Sequence, residues 1–189
     1  MQSDDATRLL QDTTRVRRRT RRALNPSWFS NLVFGAFFVG TAVLAAFTDS
    51  GGAMLAYWTL GAAVAFTATI RFHLRIEREL GVDGRAWDAS GTLLIALLTG
   101  VVIANAVFAG DLRAAMPLYA AAAGLTGFAV LWGDAREAAA AAGIALVATA
   151  VLVASPETPG VWANLGLGVV LLAAGLAGRA AWRAPAERT

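Results

Sequence analysis

Six uninterrupted apolar stretches divide this chain, at positions 28–47, 52–70, 91–108, 116–132, 138–154 and 161–177. They are 17 to 20 residues long, and none holds an Asp, Glu, Arg or His. A helix crosses the hydrocarbon core of a bilayer with roughly 17–25 apolar residues, so each stretch is long enough, the last three only just. No polar face recurs within them to meet water, which sets aside a soluble bundle. In lipid every backbone N–H and C=O must be paired within its own segment, so the stretches are predicted to be helices. The pattern predicts an all-α polytopic membrane protein. Its six transmembrane helices form three hairpins over 28–178, between an N-terminal arm at 1–27 and a tail at 179–189. The fifth stretch opens with the alanine run 138–142 and reads as the least hydrophobic and the least exposed to lipid.

The residues between the stretches set the orientation. With the N-terminus inside, 15 of the 16 arginines fall in inner segments and only Arg113 in an outer one. Cytoplasmic segments carry the excess of positive charge, so both termini are predicted to be cytoplasmic. The outer turns, 48–51, 109–115 and 155–160, are too short for an extracellular domain. The inner segment 71–90 is longer. Arg75 and Glu79 stand at i, i+4, as do His73 and Glu77, which favours continuation of the second helix into the cytosol. Gly81 then supplies its C-terminal cap, and Asp88 or Ser90 the N-cap of the third helix.

Composition narrows the chemistry. Hydrophobic residues make up 57% and charged ones 15%, with 19 glycines besides; the apolar share of soluble domains, glycine included, is nearer ~45–50%. Cysteine is absent, which excludes disulfides, thiolate catalysis and Cys-bound metals. Lysine is absent too, which excludes a lysine Schiff base. A single histidine, His73, cannot build a histidine-rich metal site within one chain. Ionisable side chains at membrane depth mark proton relays and ion pathways, and the six stretches hold none. Asp88-Ala-Ser90-Gly91 resembles the Gly-x-Ser-Gly of rhomboid proteases, but the only histidine precedes that serine, so no downstream base follows. The tetrad reads as a helix cap, and the residues point to no catalytic group, metal ligand or cofactor.

Neutral polar and aromatic side chains gather toward the outer ends of the stretches. Tyr57, Trp58 and Thr59 lie in the second, Asn105 in the third, Tyr119 in the fourth and Asn164 in the sixth. Aromatic walls with a few amides suit a small neutral ligand, so Tyr57, Trp58, Asn105, Tyr119 and Asn164 form the candidate ligand site. The plainer reading is an aromatic belt with amides bonding at helix ends. Asp49, Asp111 and Glu157 put one carboxylate in each outer turn, where turn and capping roles are the default. Small residues four apart, as in Ala36 with Gly40, Ala42 with Ala46, Gly61 with Ala65, Ala123 with Gly127 and Ala174 with Gly178, let helices approach closely. The approach is within the chain, or against a membrane-protein partner or a second copy. Arg15, Arg17, Arg18, Arg19, Arg21 and Arg22 stand just before the first stretch with no acid among them. Tethered there without a nucleic-acid-binding fold, they are expected to contact anionic lipid headgroups and not nucleic acid, at about 1 kcal/mol each.

Several segments together resemble a group of small, uncharacterised multi-span membrane proteins of high-GC actinobacteria. They are Arg17-Arg-Arg-Thr-Arg-Arg-Ala-Leu-Asn-Pro-Ser-Trp-Phe29, Leu32-Val-Phe-Gly35, Ala56-Tyr-Trp58, the arginine-rich 71–78 and Gly81-Val82, spanning residues 15–85. The resemblance implies a bacterial cytoplasmic (inner) membrane and no particular activity. In size, span number and orientation the chain is also similar to the substrate-binding component of energy-coupling-factor vitamin transporters. That component binds its ligand near the outer face and presents small-residue surfaces of its first helix to a partner; none of its ligand motifs matches residue by residue. Three functional expectations follow. The first is a non-enzymatic membrane protein acting through membrane partners. The second is a binding subunit or permease for a small neutral ligand at the outer aromatic site. The third is an integral-membrane lyase or cyclase using acids at the helix mouths, such as Asp49 and Asp111.

Overall fold

The computed structural model describes residues 27–80, 100, 103, 107–108 and 111–183. Among these residues there is no strand, and five helices are long and apolar enough to cross a membrane. They are α1 (Ser27–Phe47), α2 (Gly51–Leu80), α3 (Asp111–Trp132), α4 (Ala135–Ala154) and α5 (Pro159–Arg183). These correspond to the first, second, fourth, fifth and sixth expected stretches. The third, 91–108, lies mostly outside the described residues, although Gly100, Ile103 and Val107 are helical. The arm at 1–26 lies outside them as well, with Arg15, Arg17, Arg18, Arg19, Arg21 and Arg22.

Capping chemistry extends the helices past the limits of the apolar stretches. The 30 residues of α2 make a helix about 45 Å long at 1.5 Å per residue, against a hydrocarbon core of about 30 Å. The helix thus continues past the second apolar stretch, as expected, with Arg75 Nε 2.8 Å from Glu79 Oε1. Ser50 caps its start, the hydroxyl accepting from the Ala53 N–H at 3.3 Å. Helix α3 begins at Asp111, not at 116, and takes Pro117 into its second turn, which shortens the outer segment expected at 109–115. The turn into α4 uses Gly133 at φ +65, a conformation that a side chain would oppose. Asp134 follows as N-cap, its carboxylate accepting from the Arg136 N–H at 2.9 Å. This cap starts α4 at Ala135, three residues before the expected 138. Pro159 opens α5 at a position where its missing N–H removes no helical bond.

Helices α1 and α5 run antiparallel in backbone-to-backbone contact. A Cβ at Gly35 would lie 2.8 Å from the Leu172 backbone nitrogen, one at Gly168 2.8 Å from the Gly35 carbonyl oxygen, and one at Gly175 2.7 Å from Leu32 Cγ. Helix α4 packs on α3 and α5 around Ile144, Ala148, Leu118, Leu167 and Leu171, and α1 adds Phe34 and Phe38 to this core. Helix α2 packs chiefly on α1 and is the least covered of the five. Outward surfaces are apolar: Val130 and Val153 are 80% exposed and Leu146 71%. Such continuous apolar exposure suits lipid as solvent and not water. As expected, α4 is the most covered helix. It is not the least hydrophobic, however. Its apolar window exceeds the other four in hydropathy, because Ile144, Leu146, Val147, Val151, Leu152 and Val153 follow the alanine run.

Candidate functional site

The start of α1, the second half of α2, the start of α4 and the end of α5 meet at one end of the bundle. Trp28 lies edge-on to Phe72 at 5.4 Å, and the Arg179 guanidinium lies 5.9 Å over the Trp28 ring. Phe29 stacks on Phe72 at 4.1 Å. Arg71, Arg75, Arg78, Arg136 and Arg179 therefore belong to this end, and Arg113, near the start of α3, to the opposite one.

A buried polar pair sits at the arginine-rich end. The sequence Asp134-Ala-Arg-Glu137 has capping-box spacing, in which the glutamate reaches back to the N-cap amide. Here Glu137 turns across the bundle instead, and its Oε1 accepts from Asn31 Nδ2 of α1 at 3.0 Å. Ser27, one turn before Asn31, lies near the carboxylate. Glu137 is 3% exposed and Asn31 7%. Among the described residues the ion pair found is Arg75 with Glu79, and no cation pairs with Glu137. The apolar stretches hold no ionisable group, yet one is buried in the bundle at the edge of the fifth. Starting α4 at Ala135 carries Glu137 out of the inner loop and into the first helical turn. The signals were Asn31, a polar residue in the inner part of the first stretch, and the capping-box spacing that extends the fifth helix.

The residues expected to bind a ligand lie toward the other end. Tyr57 stacks on Phe37, centroids 5.4 Å apart, and its hydroxyl donates to the Phe37 carbonyl at 2.9 Å beside Gly40. Trp58 meets Phe37 and Phe38 edge-on at 5.1 and 6.0 Å. Tyr119 lies 2.7 Å from Thr149 Oγ1, which itself donates to the Ala145 carbonyl at 2.9 Å. The tyrosine is therefore the donor across α3 and α4. Asn164 Nδ2 donates to the Gly160 carbonyl of its own helix at 2.7 Å. Tyr57 and Trp58 thus share one aromatic cluster on α1, whereas Tyr119 and Asn164 bond to other elements. Asn105 lies outside the described residues. Asp49 and Glu157 are exposed in turns, and the side chain of Asp111 lies outside the described residues. His73 Nδ1 stands 2.9 Å from the Thr69 carbonyl on α2. No protein-family model matches the chain, and neither a curated protein nor a solved structure matches it.

Proposed function

We propose that the chain is a multi-pass protein of a bacterial cytoplasmic membrane, with both termini in the cytosol, and that it acts through membrane partners without catalysis of its own. The observation that carries this reading is the way the bundle sorts its polar groups. Arginines collect at one end, as cytoplasmic ends require. Between the ends, the hydroxyls of Tyr57 and Tyr119 and the amides of Asn31 and Asn164 bond to the protein itself. What the molecule presents to its surroundings is apolar helix surface, above all that of α2, where Leu55, Leu60 and Val64 are exposed. The resemblance to actinobacterial membrane proteins supports the same membrane.

The chain has no cysteine, so single introduced cysteines report topology without background. Those at Thr48, Ala109 and Thr158 label with an impermeant reagent in intact cells, and those at Thr14, Gly84 and Ala186 do not. The reverse pattern overturns the orientation. For partners, a photoreactive residue at Leu60 or Val64 yields a discrete higher-mass adduct in cells. Products that remain at monomer mass at both positions overturn the partner role.

A further inference from the structure

Helices α1 and α4 are held near each other through α5, which packs against both. Their own contact at the arginine-rich end is polar: Asn31 Nδ2 donates to Glu137 Oε1 at 3.0 Å. An ionised carboxylate only accepts hydrogen bonds, and the amide donor aimed at it matches that form. Adding a proton turns one of its oxygens into a donor. Asn31 can still donate to the other oxygen, but that bond is no longer charge-assisted and is weaker by about half, so the contact between α1 and α4 depends on the protonation state.

Among the described residues, the charges facing this group are few. On α4 and its cap they are Arg136, which is exposed, and Asp134, of opposite sign. From α1 come only the neutral Ser27 and Asn31, and from α5 comes Arg179, which lies over Trp28. The charged side chain described on α3 is Arg113, at the far end. Helix α2 carries Arg71, His73, Arg75, Glu77, Arg78 and Glu79, but packs chiefly on α1. A carboxylate buried without a cation is stabilised by its donors or is neutralised by a proton.

We propose that Glu137 is a proton-binding site, and that its protonation loosens α1 from α4 at the arginine-rich end of the bundle. Infrared titration of the full chain in lipid nanodiscs reads the first half, through the carboxylic-acid C=O stretch. Spin labels at Ser30 and Ala138 read the second, through the α1–α4 distance. In the wild type an acid band absent from Glu137→Gln grows as pH falls, and the label distance lengthens with the same midpoint. In Glu137→Gln the distance is independent of pH. Asn31→Ala keeps the band but moves its midpoint to higher pH by about one unit or more, because a donor to the charged form is lost. This variant also serves if Glu137→Gln does not fold. A wild type with no titrating band lost in Glu137→Gln, a midpoint unmoved in Asn31→Ala, or a label distance that ignores the titration each overturns the proposal.

Discussion

Replacing Gly168 by alanine tests whether backbone contact between α1 and α5 holds the bundle. The added Cβ would stand 2.8 Å from the Gly35 carbonyl oxygen and 2.8 Å from the Val39 backbone nitrogen. Ordinary heavy-atom contact is nearer ~3.5 Å, so the helices must part by about 0.7 Å at that level. Backbone atoms cannot rotate out of the way as a flexible side chain does. Overpacking of this kind costs about 1–3 kcal/mol, and alanine's better helix propensity returns up to about 1 kcal/mol. A net loss of about 1–2 kcal/mol is expected. Gly160→Ala, in the same helix, is the control. Nothing lies within 4 Å of its Cβ position, so that variant keeps or slightly raises stability. Reversible unfolding in mixed micelles, followed by far-UV circular dichroism, separates the two. If they unfold within about 0.5 kcal/mol of each other, the close approach does not hold in lipid or detergent and the reasoning fails; single surface substitutions already vary by that much.

Tyr57→Phe keeps the stacking on Phe37 and removes one hydroxyl, while the Phe37 carbonyl retains Thr41 Oγ1 as a donor at 3.0 Å. The same unfolding assay should therefore show a loss of only about 0.5–1 kcal/mol, and a loss above about 2 kcal/mol would show that this hydroxyl does more than bridge two helices. A peptide of residues 1–24 should float with anionic liposomes and not with neutral ones, and release as salt screens its six clustered arginines; equal binding to neutral liposomes would assign the contact to Leu9, Leu10 and Val16.

Helix type was legible wherever length and desolvation decide it. A 17-residue run without charge has one stable backbone solution in lipid, and the five described helices follow the expected stretches. The Arg75–Glu79 pair shows the same at short range, because i, i+4 neighbours meet whatever the tertiary fold. The ends were less legible, since hydropathy is blind to capping. Asp134 and Gly133 begin α4 three residues early, and α3 begins at Asp111, five residues before the apolar stretch. Packing was legible only in part. Scanning for small residues four apart found Gly40, which does face Tyr57, and Gly61, which faces Phe37 at 2.8 Å. It missed Gly35 against Gly168 and Gly175 against Leu32, because these contacts match one helix with another and the two glycines of α5 stand seven apart.

The site depended most on that missing information. Tyr57, Trp58, Tyr119 and Asn164 do lie on apolar helices, but convergence on a ligand needs several helices to turn the right faces inward. Tyr57 turns to α1, Tyr119 to α4, and Asn164 back along its own helix. Glu137 stands one residue outside an apolar stretch, so the hydropathy pattern alone does not include it. Successive helical residues are rotated by about 100°, so once Asp134 starts the helix, Arg136 at its second position faces out while Glu137 at its third faces α1. A boundary moved by three residues thus converts a solvated loop acid into a buried one bonded to Asn31. In a bundle this poor in charge, the side chains that matter most are those beside the apolar runs, where a cap decides between water and the interior.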